Sequence, residues 1–350
     1  MPNKDGHNDW PHLIRGFYDN RLDGRFQCEN NLAGHVDIKR LKNGRSGGAF
    51  WSVYIDCPES DDFTDDAIHF EALRDTIQQI DIVHRLLELY SDDMGLVENS
   101  SDIMRLFKAD KFASLIGVEG LHQIANSASV LRMYYKLGVR YVTLAHNKNN
   151  IYADSAVSSP IIDLSHTSEA VIHQVLESSK APVMFSHSAI ASIVPHVRNV
   201  SDAALKKLQA NNGVIMITFI PSLIHTKPNE ASIDHIIDHI IYAGGLIGYN
   251  HIGLGSDYDG MFSAVRGVDD VSLYPDLVAK MLERGISRPD VERVIGLNII
   301  RVLGEVEARA AKLKIQSAVM EDEVKQLWND NFRATVESVY PHAEKSTRIT

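Results

Sequence analysis

The sequence contains histidines and carboxylates at positions where several of them could bind metal ions together. His7 and Asp9 are two residues apart, so in an extended strand both side chains point to the same side. Glu119, His166 and His187 each come just after a short apolar run. Neutral imidazole suits Zn²⁺, and two such ions can share a site that lowers the pKa of water. These residue types therefore indicate a metal centre whose chemistry is hydrolysis.

Placing these residues around one site requires a fold that brings distant strand ends together. Short β-branched or aromatic runs alternate with longer helical patterns, which is typical of parallel βαβ units. After a first strand that ends near His7, we predict strands over residues 49–55, 112–118, 139–145, 161–164, 182–185, 214–219 and 251–255. Helices are predicted over residues 66–90, 127–137, 168–178, 201–210 and 232–242. The fold class is therefore α/β, a (β/α)8 TIM-type barrel over residues 1–305, with residues 306–350 as a C-terminal helical tail packed on it.

In such a barrel the loops that follow the strands converge at one end, where the active site lies. Six of the eight predicted strands are followed by a possible ligand or acid–base group: His7 with Asp9, Glu119, His146, His166, His187 and Asp257. Each residue alone also has a structural interpretation, since Glu119 or His166 could cap a helix and one H-x-D pair is weak evidence for a metal. Their joint placement at one end of the barrel favours a shared functional site.

The composition excludes several classes of protein. The chain has 350 residues, 44% hydrophobic and 23% charged, as in an ordinary globular protein. Its net charge of −11 argues against nucleic acid as a partner, because phosphate binding requires clustered Lys and Arg. The apolar runs, such as residues 213–220, are too short to cross a bilayer, and neither terminus carries a signal or anchor pattern. We therefore expect a cytoplasmic protein without a membrane anchor.

Other patterns in the sequence could also carry chemistry. His235 and His239 are four residues apart on a predicted helix and could bind a metal. The apolar period around them predicts a barrel-wall helix instead, which would leave both histidines on the surface. The sequence has neither a G-x-S-x-G nucleophile elbow nor a G-x-x-x-x-G-K-[ST] phosphate loop. Serine-nucleophile and P-loop chemistry are therefore not indicated.

Eight short segments resemble the membrane (renal-type) dipeptidase family, whose members are zinc enzymes on a metal-dependent hydrolase barrel. In chain order they are Asp5–Pro11 (DGHNDWP), Ile116–Gly120 (IGVEG), Leu144–His146 (LAH), Tyr152–Asp154 (YAD), Asp163–His166 (DLSH), Phe185–Ser188 (FSHS), Arg198–Asn199 and Gly255–Gly260 (GSDYDG). Residues 10–18 and 50–54 are most similar to fungal members. Some of these belong to clusters that make sulfur-bridged dioxopiperazine toxins, where a dipeptidase removes glycine from a Cys-Gly adduct.

The resemblance implies a metal centre with two Zn²⁺ ions per chain. His7, Asp9 and Glu119 would hold one ion, and Glu119, His166 and His187 would hold the other. Glu119 would therefore bridge the two ions.

The resemblance also implies roles toward a small dipeptide substrate. His146 would contact the scissile carbonyl oxygen, and Arg198 would pair with the C-terminal carboxylate, which suits a planar guanidinium. Asp257 would move a proton from water to the leaving amine. We expect hydrolysis of L-dipeptides by a chain that forms a homodimer.

The sequence departs from the family at three places. Only residues 1–4 precede the first motif, which predicts a shortened first strand that is not buried and has a frayed end. Residues 147–160 show no helical period, which predicts that the crossover helix between the fourth and fifth strands is missing. The family's disulfide partner for Cys57 would fall near Lys148, so this bridge is absent. The alternatives are therefore a non-catalytic homologue that retains the barrel and another metal-dependent amidohydrolase.

Overall fold

The computed structural model describes residues 3–27, 31–59, 66–148, 150, 160–313, 322 and 326–342. The chain divides into two units, Met1–Ala318 and Val319–Thr350. In the described part of the chain, no helix is long and apolar enough to span a membrane.

The described strands form one parallel sheet that closes on itself. They are β1 (Asn3–Asn8), β2 (Ser46–Val53), β3 (Met94–Leu96), β4 (Phe112–Glu119), β5 (Val139–Thr143), β6 (Ile161–Asp163), β7 (Met184–Ser188), β8 (Val214–Ile217) and β9 (Ile252–Leu254). The order is β2-β1-β9-β8-β7-β6-β5-β4-β3, and β2 also pairs with β4. Eight strands therefore close the barrel, which confirms the predicted (β/α)8 fold, and the short β3 is an addition beside β4.

The described part of the chain contains thirteen α-helices, the first twelve in the unit Met1–Ala318 and the last in the unit Val319–Thr350. They are α1 (Trp10–Tyr18), α2 (Ile38–Asn43), α3 (Asp66–Leu89), α4 (Ser100–Lys108), α5 (Ala128–Lys136), α6 (Glu169–Ser178), α7 (Asp202–Asn211), α8 (Pro221–Ile224), α9 (Ile233–Ile247), α10 (Tyr274–Glu283), α11 (Arg288–Glu292), α12 (Asn298–Leu313) and α13 (Asp330–Val339). The five predicted helices correspond to α3, α5, α6, α7 and α9. Helix α1 was not predicted, because its nine residues include Pro11 and Gly16, which are poor helix formers.

The expectation that the chain's first residues cannot form a buried strand is wrong. All six residues of β1 are buried, and β1 pairs with β2 on one side and β9 on the other. Barrel closure supplies a neighbour on each side, so the backbone hydrogen bonds of β1 are satisfied without an apolar sequence before it. Lys4 lies inside this strand, and its ammonium group donates to the carbonyl of Gly47.

The prediction that His235 and His239 lie on the surface is wrong for His239. Its side chain is buried within α9, where Nδ1 accepts from the backbone N–H of Ile190 at 3.0 Å. Its Nε2 lies 3.1 Å from the carbonyl oxygen of Ile224. The ring is therefore a buried histidine whose two nitrogens are both satisfied by the backbone.

Two predictions about connections stay untested. The first is that no crossover helix connects β5 and β6. It stays untested because residue 149 and residues 151–159 of this connection are outside the described residues. The boundary predicted after residue 305 falls within α12, which continues to Leu313. The packing of residues 306–350 on the barrel stays a prediction.

Apolar packing holds the strands at fixed positions around the site. Phe50, Leu115 and Met216 from three strands form one buried cluster with Ile299 and Val302 of α12. A larger cluster packs the outer face of the sheet against the surrounding helices. Dense packing of this kind keeps the carboxyl ends of the strands in a fixed arrangement.

Candidate active site

The carboxyl ends of the strands bring the five predicted metal ligands together. The ligand atoms of His7, Asp9 and Glu119 lie within 4.8 Å of one another, and so do those of Glu119, His166 and His187. His7 is in β1, Glu119 ends β4 and His187 is in β7, while the other two residues directly follow strands or short turns. Residues far apart in sequence therefore form one cluster.

Glu119 lies between two groups of ligands, and each of its oxygens faces a different group. Its Oε2 is 3.6 Å from Nε2 of His7, which is itself 3.3 Å from Oδ2 of Asp9. Its Oε1 is 3.1 Å from Nε2 of His166 and 3.4 Å from Nε2 of His187. A carboxylate placed in this way can contribute one oxygen to each of two cations.

The residues present fit a pair of transition-metal ions. Nε2 of His7 is buried and has no hydrogen-bond partner among the described residues. The Nε2 atoms of His166 and His187 face each other at 2.9 Å, beside the Glu119 carboxylate. Three imidazoles and two carboxylates with converging lone pairs form a donor set that divalent ions such as zinc prefer.

Polar groups behind the ligands set which nitrogen of His187 faces the cluster. Ser186 Oγ donates to the Asp163 carboxylate at 2.6 Å and lies 2.9 Å from Nδ1 of His187. Because a carboxylate only accepts, the Ser186 oxygen is left to accept the Nδ1–H of His187. The Nε2 lone pair of His187 is thereby directed at Glu119.

His7 is oriented by the same network. Its Nδ1 lies 2.7 Å from the hydroxyl oxygen of Tyr141, and Tyr141 in turn hydrogen-bonds Ser186. These supporting residues were not predicted to have a role in the site. Asp163 and Ser186 occur within motif segments, but only the folded barrel brings them into contact with Tyr141.

Burial and neighbouring charges perturb the titration of the histidines. Burial disfavours a charged His7, but the carboxylates of Asp9 and Glu119 outweigh this effect and raise its pKa well above the usual value. Burial lowers the pKa of His166 to about 3. Burial, together with the charge of His7, holds the pKa of His187 well below the usual value. His166 and His187 are therefore neutral at physiological pH, which is the form that binds metals.

Asp257 follows β9 and lies beside the first group of ligands. Its Oδ1 is 3.6 Å from Nε2 of His7. Burial and the nearby Asp9 carboxylate raise the pKa of Asp257 well above the usual value. A Cβ at residue 260 would lie 2.4 Å from Oδ2 of Asp9 and 3.0 Å from Oδ1 of Asp257, so only glycine fits there. A carboxyl group with a raised pKa at this position suits proton transfer.

His146 and Arg198 complete the group of predicted site residues. Nε2 of His146 is 3.8 Å from Oε1 of Glu119, and its ring is 4.3 Å from that of His166. Nε and Nη2 of Arg198 are buried and have no hydrogen-bond partner in the part of the chain that the structure describes. A buried guanidinium without an anion is unfavourable, so this position is suited to binding a carboxylate.

A cavity of about 250 Å³ lies on α1, α3 and the loop after β2. Its lining includes His12, Arg15, Tyr54 and Asp75, and the ring of Tyr54 is 4.4 Å from that of His146. Arg15 pairs with Asp75 at 2.8 Å across the lining. Tyr54 therefore lies between this cavity and His146, and no proposed metal ligand lines the cavity.

Known proteins share this chain's sequence and fold. The family described as membrane dipeptidase (peptidase family M19) matches residues 1–161 and 160–317. Dipeptidase tcpJ of Claviceps purpurea is 52% identical over an alignment 363 residues long, gaps included. The alignment covers 97% of this chain and 85% of that protein. Dipeptidase verJ of Clonostachys rogersoniana is 45% identical, and the match covers 96% of this chain and 92% of that protein.

Solved structures share the barrel. A metallopeptidase from Rhodobacter sphaeroides, liganded with a phosphinate mimic of the dipeptide L-Ala-D-Ala, superposes with a TM-score of 0.77 at 20% identity. The superposition covers 87% of this chain and 99% of that one. Because the family match extends over residues 1–317 of 350, the chain belongs to the membrane dipeptidase family, peptidase family M19, and is a metal-dependent dipeptidase.

Proposed function

We propose that this dipeptidase hydrolyses L-dipeptides with two zinc ions, one on either side of the Glu119 carboxylate. The observation that carries the proposal is that Oε2 of Glu119 faces His7 while Oε1 faces His166 and His187. Asp9 completes the first group. When bound, zinc ions lower the pKa of water and polarise a carbonyl oxygen, which is the chemistry that amide hydrolysis requires.

Three residues around the ligands would act on the substrate. Arg198 would bind the C-terminal carboxylate, since its buried Nε and Nη2 have no hydrogen-bond partner among the described residues. His146 would donate from Nε2 to the scissile carbonyl oxygen as this oxygen becomes negatively charged. Asp257 would accept a proton from the attacking water and deliver it to the leaving amine.

The experiment that tests this proposal measures metal content and peptidase activity on the same preparation. We expect elemental analysis to find about two zinc ions per chain and the zinc-loaded protein to hydrolyse Ala-Gly and Cys-Gly. Glu119→Gln should bind less zinc and lose activity, whereas His173→Asn, which changes a histidine on α6, should retain both. A wild-type protein that binds zinc but cleaves no dipeptide would contradict the proposal.

For the natural substrate we propose a Cys-Gly unit attached to a larger group in fungal secondary metabolism. The support is the similarity to fungal dipeptidases and a cavity of about 250 Å³ lined by Tyr54, whose ring contacts that of His146. The test compares kcat/KM for Ala-Gly with that for S-alkylated Cys-Gly. A preference for Ala-Gly would argue against this substrate. The homodimer and the cytoplasmic location stay predictions.

A further inference from the structure

Cys57 lies next to His146, in the loop that follows β2. Its Sγ is 3.9 Å from Nδ1 of His146 and 3.8 Å from Nδ1 of His122. Both distances suit a weak hydrogen bond that involves a large sulfur atom. The thiol therefore contacts the nitrogen of His146 that points away from the metal ligands.

The tautomer of His122 follows from its other contact. Nε2 of His122 is 2.8 Å from the carbonyl oxygen of Ile55. A carbonyl oxygen can only accept, so Nε2 carries the proton. Burial lowers the pKa of His122, so the ring is neutral and its Nδ1 has a free lone pair toward Cys57. His122 therefore cannot donate a proton to the sulfur.

The backbone that follows His146 determines which further hydrogen bonds the Cys57 sulfur can accept. The backbone N–H groups of Asn147 and Lys148 donate to Sγ of Cys57. These two donors use the two lone pairs of the thiol, which leaves its single S–H as the group that faces the histidines. Because these two donors occupy the sulfur lone pairs, a proton on Nδ1 of His146 would find no acceptor on the thiol. The S–H instead faces the Nδ1 lone pairs of His122 and His146, and the proton of the neutral His146 ring is on Nε2.

The other face of His146 is where the reaction would take place. Nε2 lies 3.8 Å from Oε1 of Glu119, and the ring lies against those of Tyr54 and His166, with centroid distances of 4.4 and 4.3 Å. A proton on Nε2 therefore points at the space beside the metal ligands, where it could be donated to a substrate oxygen.

We propose that Cys57 is a positioning residue whose thiol keeps His146 in the tautomer with the proton on Nε2. This inference rests on the proposed role of His146 as a donor to the carbonyl oxygen. To donate to the carbonyl oxygen, the neutral His146 ring must carry its proton on Nε2 and none on Nδ1. The tautomer protonated on Nδ1 would instead point the Nε2 lone pair at the developing negative charge. Cys57 acts through His146 and does not itself contact the substrate.

Kinetics with paired variants provide the first test. Cys57→Ala removes the donor, and we expect kcat for Ala-Gly to fall about 10- to 100-fold while KM changes less than about threefold. Cys57→Ser keeps a donor of similar size and should restore kcat to within about fivefold of the wild type. Cys28→Ala, which removes the other cysteine of the chain, controls for the loss of a thiol in itself. Equal kcat values for Cys57→Ala and the wild type would overturn the proposal.

The tautomer itself can be observed without any turnover. Long-range ¹H–¹⁵N spectra of ¹⁵N-histidine protein distinguish protonated from unprotonated ring nitrogens, and His146→Gln identifies the signals of His146. We expect an Nε2-protonated ring in the wild type and Cys57→Ser, and a mixture of tautomers in Cys57→Ala. A wild-type ring protonated on Nδ1 would overturn the proposal. Because this measurement needs no substrate, it remains decisive if the proposed peptidase activity is not found.

Discussion

Arg198 is the residue that best distinguishes dipeptides from other substrates of a metal-dependent hydrolase. Its guanidinium is buried near the carboxylates of Asp257 and Glu119 and lacks hydrogen-bond partners for two nitrogens among the residues described. A substrate carboxylate would satisfy both nitrogens and offset the cost of burying the charge.

Replacing Arg198 by Met should therefore weaken the binding of the substrate carboxylate. We expect kcat/KM for Ala-Gly to fall about 100-fold or more, in line with the loss of a buried charge pair. The control is the dipeptide amide, which lacks the carboxylate and should lose less than about fivefold between wild type and variant. An equal loss for both substrates would show that Arg198 acts elsewhere.

Asp257 has two possible functions that one variant separates. It is placed for proton transfer, yet its carboxylate also forms a group with His7 and His187 that could hold a cation. If Asp257 moves the proton, Asp257→Asn should lower kcat about 10²- to 10⁴-fold and leave the zinc content unchanged. Elemental analysis of the same preparation decides between the two functions, since loss of zinc would show that Asp257 is a metal ligand. Full activity of Asp257→Asn would show that Asp257 has no part in the mechanism.

At the scale of the element, β7 carries both a ligand and the group that orients this ligand. Ser186 Oγ accepts from His187 and donates to Asp163, so Ser186→Ala removes the acceptor for Nδ1 of His187. We expect zinc affinity, measured by competition with a chelator, to fall about 10- to 100-fold. Ser188, in the same strand and also buried, has no side-chain hydrogen bond to a histidine among the described residues, so Ser188→Ala should bind zinc as the wild type does. Equal affinities for both variants would refute this role of Ser186.

β1 contains a destabilising residue whose effect depends on pH. Burial lowers the pKa of Lys4 to about 7, from 10.5 for an ordinary lysine. Between these two pH values the unfolded chain binds more protons than the folded one, so the stability of the folded state rises with pH. The cost of burying Lys4 is present in full below pH 7 and disappears as the pH rises to about 10.5.

Replacing Lys4 by Met should remove this cost. We expect the free energy of unfolding at pH 7 to increase by up to about 5 kcal/mol, and the gain to shrink by about 1.4 kcal/mol per pH unit above pH 7. Urea unfolding of both proteins at pH 7 and pH 9.5 measures the difference. Lys39→Met, which changes an exposed lysine of α2, should give no such trend. A gain that is the same at both pH values would contradict the lowered pKa.

At the scale of the whole molecule, metal binding and folding are linked. The proposed ligands extend from His7 to His187 and meet only when the barrel is closed, so zinc should bind the folded chain far better than the unfolded chain. Free zinc at 100 times its Kd should stabilise the protein by about 2.7 kcal/mol. Thermal unfolding with zinc and with a chelator measures this effect. Glu119→Gln should show a much smaller zinc-dependent rise in Tm, and an equal rise would place the bound zinc elsewhere.

The sequence by itself determined the barrel and predicted the set of candidate ligands that the barrel brings together. Alternating apolar runs and helical patterns predicted seven of the eight barrel strands and the helices α3, α5, α6, α7 and α9, because each is encoded by a local period. His7, Asp9, Glu119, His166 and His187 were identified because each lies near a strand end, and parallel strands bring these ends together. The short strand β3 was missed, since its residues Met-Gly-Leu include no β-branched or aromatic side chain.

Only the tertiary structure decided what surrounds these ligands. β1 is buried because it pairs with β2 on one side and with β9 on the other. The pairing with β9, the last strand of the barrel, exists only when the barrel is closed. The contacts of Tyr141 with His7 and of Cys57 with His146 join residues 134 and 89 positions apart. Such hydrogen bonds depend on distances of a few tenths of an ångström and on side-chain directions, which follow from the packing of the closed barrel and leave no local pattern in the sequence.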